Sequence, residues 1–239
     1  MSSLYIVATP IGNLEDVTLR SLEILKNVDL ILCEDTRTSK KLLDSYKIKT
    51  PVISYHQHSK LKKIDYILNI LEQGQNLALI SDAGTPGISD PGNELIDKII
   101  KEDKTKMVRI SPIPGASALI AAASICGFPM GRFLFMGFPP AKKKRKKFFE
   151  QVVASGQPVI FYESPHRILK TLEELKITIN SSSEKNSLVS VSNQSLLQIV
   201  VCRELTKKFE TIYRGDISEV IEELKKEKQR GEFAVVVNR

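Results

Sequence analysis

The sequence predicts an α/β protein in two units: a parallel sheet covered on both faces, then a second and less regular α/β unit. Three observations carry this. Strand-length runs in the first half are apolar throughout rather than alternating, and helical stretches separate them, as expected for strands buried on both faces of a parallel sheet. Ser111-Pro112-Ile113-Pro114-Gly115 then interrupts the pattern with two prolines and a glycine, which continue neither a helix nor a central strand, and sets a boundary between residues 1–113 and 114–239. Finally, 239 residues with 42% apolar and 26% charged side chains suffice for two buried cores in an ordinary globular composition.

Taken in order, residues 4–9 form a first strand, and after Pro10-Ile11-Gly12 the side chain of Asn13 caps a helix whose first turn holds Glu15 and Asp16. Residues 28–33, 51–55, 77–81 and 107–110 give four more strands, and Ile64, Ile67, Leu68 and Leu71 share one face of a helix before the fourth. The second half opens with a small-residue helix over 116–125. Strands at 132–136, 158–162, 197–203 and 232–237 follow, mixed with helices near 142–154, 166–176 and 216–228. The polar stretch 180–187 reads as a mobile surface loop.

No apolar run approaches the ~20 residues that a bilayer helix needs. The first residues carry no basic leader pattern, so a cytoplasmic protein is expected. Cys33, Cys126 and Cys202 are an odd number at wide spacing in apolar surroundings, which suits buried thiols rather than disulfides or a zinc site. No metal is expected, and His56 and His58 are read as loop residues rather than ligands. The net charge is +7, and Lys142, Lys143, Lys144, Arg145, Lys146 and Lys147 are consecutive. Such a run neutralises phosphates and favours a nucleic-acid partner, the alternative being a solvated helix face. Arg20, Arg37 and Arg167 join it as candidate phosphate contacts, since guanidinium forks match phosphate geometry. Phe148 and Phe149 beside the run read as core before base-stacking.

In an open parallel sheet, ligands bind at the carboxyl ends of the strands, and the unusual loops fall there. Pro10-Ile11-Gly12-Asn13 follows the first strand and Glu34-Asp35-Thr36-Arg37 the second. The loop 81–92 follows the fourth with three glycines, two prolines and two aspartates, and Pro112-Ile113-Pro114-Gly115-Ala116-Ser117-Ala118 follows the fifth. Glycines let backbone amides approach a ligand, prolines fix the path, and a helix N-terminus adds further amides. Neither of the last two loops holds a lysine, which argues against a triphosphate ligand.

These loops, in this order, resemble the ribosomal RNA small subunit methyltransferase I family, a branch of the tetrapyrrole (class III) methylases. The likeness runs through residues 4–16, Cys33-Glu34-Asp35-Thr36-Arg37, the loop 81–92, Pro114-Gly115-Ala116-Ser117-Ala118 and Met136-Gly137-Phe138-Pro139-Pro140. It continues through Tyr162-Glu163-Ser164-Pro165-His166-Arg167, Arg203-Glu204-Leu205-Thr206-Lys207 and Gly231-Glu232. The resemblance implies two α/β domains of the tetrapyrrole methylase fold with S-adenosylmethionine in a cleft between them and a homodimer. It also implies methylation of the 2′-oxygen of a cytidine in the decoding region of 16S ribosomal RNA in the small subunit. Carried over, Pro10, Asp82, Ala83, Gly84, Thr85 and Ile88 meet the cofactor from the first domain, and Pro114, Ser117 and Ala118 from the hinge. Met136, Tyr162, Cys202 and Phe233 of the second domain offer backbone contacts. The stretch 178–198 looks longer than the family pattern. The sequence also ends soon after Gly231-Glu232 where many relatives continue, which places more of the expected RNA contact on the basic run.

The activated electrophile belongs to the cofactor, so the protein supplies orientation and something to receive the ribose hydroxyl's proton. Glu163, Glu204 and Asp35 are the candidate acceptors, Lys207 their electrostatic partner, and His166 a further possibility. The alternative for each acid is a structural pair, Asp35 with Arg37 or Glu204 with Arg203. Two other functions stay open: a methylase of a tetrapyrrole precursor, and a non-catalytic RNA-binding factor.

Overall fold

The computed structural model describes residues 1–56, 61–103, 107–185 and 197–238. His58 and the end of the expected 180–187 loop, from residue 186 on, lie outside the described residues. The chain divides into Met1–Ser117 and Ala118–Arg239, a few residues beyond the break expected from sequence.

In the first unit, β1 (Ser2–Val7), β2 (Leu30–Cys33), β3 (Val52–Ser54), β4 (Leu77–Ile80) and β5 (Val108–Ile113) form a parallel sheet in the order β3-β2-β4-β1-β5. Helices α1 (Leu19–Asn27), α2 (Thr36–Ser45), α3 (Leu61–Glu72) and α4 (Asn93–Glu102) connect the strands. The apolar runs alternate between two separate cores. Leu4, Ile6, Leu32, Leu77 and Leu79 pack with Ile64, Ile67 and Leu71 of α3 and Leu95 and Ile99 of α4. Val7, Ile31, Cys33, Ala78 and Ile80 pack on the opposite face with Leu25 of α1 and Leu43 of α2. Two cores on two faces explain why the strands read as continuous apolar runs.

Two sequence expectations are corrected here. Asn13 caps only a single 3-10 turn, Leu14–Asp16, accepting from the Glu15 amide at 3.1 Å. Val17 is extended, and α1 starts afresh with Thr18 as its cap, whose Oγ1 accepts from the Ser21 amide at 3.0 Å. Second, β5 runs through Pro112 to Ile113 instead of stopping at 110. A proline is tolerated because β5 is an edge strand, where a missing donor facing outward breaks no ladder.

The second unit has a mixed sheet in the order β6-β7-β10-β8-β9, built from β6 (Leu134–Phe135), β7 (Val159–Glu163), β8 (Gln198–Arg203), β9 (Thr211–Asp216) and β10 (Phe233–Asn238). Only β6 and β7 are parallel. One face, with Val159, Phe161, Ile199, Val201, Phe233 and Val235, is covered by α6 (Arg145–Ala154), α7 (Ile168–Lys185) and α8 (Ile217–Lys225). Small-residue helix α5 (Ala118–Ile125) packs against β10 and β7. Helix α7 continues to Lys185, so residues 180–185 are helical and not loop. Polar serines read as loop in sequence, yet Ser181 is exposed on a helix anchored by Leu172 and Leu175, where a serine costs little. Phe148 and Phe149 are core residues, as expected.

Candidate functional site

The loops after β1 and β4 leave adjacent strands, and the chain then moves to opposite sides of the sheet, to β2 and to β5. That is the crevice where doubly wound sheets take ligands. The two loops are tied together at Thr9 and Gly84, which exchange backbone hydrogen bonds of 2.8 and 3.0 Å. Gly84 sits at φ +82, and a Cβ there would meet Ile11 Cγ2 at 3.3 Å. Thr85 Oγ1 donates to the Ala116 carbonyl at 3.2 Å, joining the turn after β5 to the same edge. There a Cβ on Gly115 would stand 3.0 Å from Ala8 Cβ. Pro10, Ala83 and Thr85 are half-buried, whereas Asp82, Ile88 and Pro114 are exposed. The structure therefore gathers the first-unit candidates, with Ser117, along one carboxyl edge.

The loop after β2 joins this edge, because the Asp35 amide donates to Asp82 Oδ1 at 3.1 Å. Asp35 itself is the cap of α2 and ion-pairs with Arg37 at 2.7 Å. Those hydrogen bonds hold its carboxyl down at about 2, which makes it a poor proton acceptor. Its neighbour Glu34 behaves oppositely. Burial first, and then the charge of Asp82, push its pKa above the ordinary value, with His56 opposing. Sequence reasoning missed Glu34, although its place at the end of an apolar strand, beside an aspartate loop, was a signal.

Glu163, expected to be catalytic, is held inside the second unit by several partners. Its side chain is 0% exposed. One oxygen meets Arg167 Nη2 at 2.8 Å and the Ser164 amide at 2.7 Å, and the other accepts from Thr171 Oγ1 at 2.6 Å with Arg145 Nη1 at 3.8 Å. No face remains for a substrate. Arg145 likewise leaves the surface run: its guanidinium turns inward to Glu174, Thr171 and the Pro140 carbonyl. Arg167 spends its donors on Glu163, Ser164 and the Pro139 carbonyl, and Arg20 donates to the Pro112 carbonyl at 3.0 Å. Burial keeps Arg145 from a phosphate, Arg167 is half-buried, and exposed Arg20 keeps further N–H donors beside its one bond. Arg37 remains at the surface, 89% exposed, and Lys142, Lys143, Lys144, Lys146 and Lys147 are exposed as well. His166 is also exposed.

Glu204 takes a left-handed conformation, φ +52, and Thr206 another, φ +66. Glu204 Oε1 accepts from Lys207 Nζ at 2.8 Å and from the Glu232 amide at 3.1 Å. Although burial opposes it, the Lys207 and Glu232 hydrogen bonds lower the Glu204 pKa, while burial opposes and Glu204 and Glu232 raise that of Lys207. Glu204 thus pairs with Lys207, and Arg203 pairs with Glu227 at 2.7 Å instead. Met136 and Tyr162 commit their amides to the Ile160 and Gly137 carbonyls. Cys202 and Phe233 are buried in strands paired on both sides. Burial pushes the Cys202 thiol up to about 12.

Against known families, the model of the tetrapyrrole (corrin/porphyrin) methylases matches residues 3–221. The chain belongs to that family. The chain is also 38% identical over 238 residues to the ribosomal RNA small subunit methyltransferase I of Thermotoga maritima, covering all of this chain and 99% of that protein. It is 42% identical over 238 residues to the protein of the same name from Bacillus subtilis, covering 99% of this chain and 75% of that one. Among solved structures, a cobalt precorrin-4 methyltransferase aligns with TM-score 0.69 at 16% identity over 99% of this chain and 94% of its own. A uroporphyrin-III-C-methyltransferase from Thermus thermophilus aligns with TM-score 0.63 at 14% identity, over 98% and 93%. At such identities the structural likeness concerns the tetrapyrrole methylase fold alone. Among the described residues, no helix is long and apolar enough to cross a membrane, and no group of three or more His, Cys, Asp or Glu could hold a metal ion.

Proposed function

We propose that this chain is an S-adenosylmethionine-dependent methyltransferase that modifies the 2′-oxygen of a cytidine in the decoding region of 16S ribosomal RNA. The observation that carries the reading is end-to-end similarity, near two-fifths identity, to proteins that share the name ribosomal RNA small subunit methyltransferase I. The carboxyl edge of the first sheet supports it. Gly84 and Gly115 let the loops after β4 and β5 pack closely against Ile11 and Ala8, where a Cβ would crowd them, the loop 81–92 carries no lysine, and Asp82 stands exposed there. This donor set suits a nucleoside with an amino-acid tail better than a polyphosphate. Pro10, Asp82, Ala83, Gly84, Thr85, Ile88, Pro114 and Ser117 would hold the donor.

S-adenosylmethionine supplies a methyl group already activated on a sulfonium. What the protein adds is alignment and a place for the ribose proton. Among the acids at this edge, Glu34 has the raised proton affinity that favours it as the acceptor, whereas Asp35 is held ionised. Asp35 and Arg37 instead shape the start of α2 around the Asp82 loop. The reading includes a homodimer working in the cytoplasm, where ribosomes assemble.

The test is transfer of labelled methyl from S-adenosylmethionine to purified small ribosomal subunits, followed by mass spectrometry of the 16S RNA. A 2′-O-methylcytidine in the decoding region is expected. Label appearing only on a tetrapyrrole precursor, or on nothing, would overturn the reading. Sedimentation of the purified protein checks the dimer.

A further inference from the structure

The second unit holds a groove that none of the donor-holding or proton-accepting residues enter. It lies between α6 and α7, has a volume of about 560 Å³, and is lined by Lys142, Lys146 and Lys170 with Phe149, Ile177 and Thr178. Arg145 braces it. From the first position of α6, its guanidinium bonds to Thr171 and Glu174 of α7 and to the Pro140 carbonyl, and stands 5.2 Å over the Phe149 ring. These contacts pin the two helices at a set separation, so the groove is part of the fold and not a gap between loose side chains.

Its charge is directed. Lys144 precedes α6 in a left-handed conformation, φ +66, and makes no side-chain cap, so the first-turn amides of α6 add their positive end to the lysines. Residues on either side of that kink, Lys142 and Lys146, line the groove, whereas Lys143 and Lys147 do not. Lys170 enters from α7, and sequence offered no reason to group it with a run nearly thirty residues earlier. Glu150 and Glu174 lie 3.9 Å from Lys146 and Lys170. A lysine ammonium carries three donors, and contacts of that length orient the ammoniums while leaving donors for another anion. Beside them Ile177 is 65% exposed, an apolar surface along a cationic channel. A single nucleic-acid strand, with phosphates on one side and sugars and bases on the other, matches this combination better than an acidic peptide, which has no regular apolar edge.

We infer that the α6–α7 groove grips the backbone of the RNA substrate, with Lys142, Lys146 and Lys170 on its phosphates. This rests on the reading of the protein as an RNA methyltransferase and gives the basic run a place. Only part of the run faces the RNA, a lysine outside the run completes the site, and Arg145 supports it from behind.

The test compares two variants with the same charge change. One replaces Lys142, Lys146 and Lys170 with glutamine, the other Lys143, Lys144 and Lys147. Binding of a labelled decoding-region RNA is measured against salt, with S-adenosylhomocysteine affinity and methyl transfer to small subunits measured alongside. Losing three phosphate contacts, at about 0.7 each for a single strand, should flatten the log–log salt slope of the groove variant by about 2 and weaken binding roughly tenfold or more. The second variant should change both by much less, and S-adenosylhomocysteine affinity should hold in both. Equal losses in the two variants would overturn the groove in favour of diffuse attraction, as would an unchanged slope in the first. Photocrosslinks from thiouridine-labelled RNA should fall in residues 142–150 and 170–178, and crosslinks confined to other segments would also overturn it. Absence of methyl transfer by the unaltered protein defeats the proposed function instead, so the two failures are distinguishable.

Discussion

Replacing Gly84 with alanine isolates the contribution of one backbone conformation to donor binding. At φ +82 an L-residue pays on the order of 1–2 kcal/mol for the left-handed region. The new Cβ also lies 3.3 Å from Ile11 Cγ2, so Ile11 or the loop must shift. The sum is about 1–3 kcal/mol, which is roughly a 5- to 150-fold loss of affinity for the donor if it falls on the loop's binding-competent shape. Gly74 provides the control. It has nearly the same φ, +86, but nothing within 4 Å of its added Cβ, and it follows α3, away from the carboxyl edge. Isothermal calorimetry with S-adenosylhomocysteine should show the loss in Gly84→Ala and ordinary affinity in Gly74→Ala, while both lose a similar few degrees of melting temperature. Ordinary affinity in Gly84→Ala would refute the assignment of this loop to the donor.

Other outcomes follow from the same geometry. Glu163→Ala leaves the buried Thr171 hydroxyl, the Ser164 amide and Arg167 without their acceptor while Arg145 keeps Glu174, and should cost about 1–3 kcal/mol in denaturant unfolding. A lost methyl-transfer rate with unchanged stability would instead restore Glu163 to catalysis. Because burial, and then the charge of Asp82, raise the Glu34 pKa, its carboxylate form appears at higher pH than that of an ordinary glutamate. Methyl transfer should rise with pH through that shifted limb, and Glu34→Gln should lose the limb with a 10²–10⁴-fold slower rate. The Cys202 thiol stays protonated in the fold up to about 12, against 9.0 when exposed. The stabilisation this represents is complete below the exposed value and is lost as pH rises from there through the folded value. Melting temperature should therefore fall over that alkaline window, less steeply in Cys202→Ala, and the native thiol should resist a thiol reagent near neutral pH. Gly231→Ala would place a Cβ 2.1 Å from Glu204 Cδ, so it should displace Glu204 from Lys207 and lower stability measurably in the second unit.

The first sheet was legible because Leu30, Ile31, Leu32 and Cys33, like the apolar residues of the strand after α3, are buried on both faces, and that leaves an unbroken apolar run. Strand β9 was not, since Thr211, Tyr213 and Arg214 mix exposure and polarity and Gly215 weakens the pattern; its place comes from pairing with β8. The tight course of the loop 81–92 was legible through composition, because glycine and proline report backbone shape directly. The surroundings of Glu163 were not legible, for a different reason. Its side-chain partners Arg145, Arg167 and Thr171 come from α6, the turn before α7 and α7 itself, and no local pattern shows that a motif acid faces inward. Glu34 and Asp35 are adjacent in sequence yet opposite in proton affinity, a difference set by the burial of Glu34, with Asp82 nearby, and by the hydrogen bonds of Arg37 to Asp35.

Pro112 has a consequence for how copies of this protein behave when crowded. It lies on the outermost strand of the first sheet, where a run of bare amides and carbonyls would template another chain. The Ile113 carbonyl turns inward to the Ala8 amide, so the neighbouring Pro112 carbonyl points outward, and Arg20 plugs it. Proline offers no amide beside it. At Pro112 that margin therefore presents neither half of the pairing an incoming strand would need, which interrupts the template at its carboxyl end.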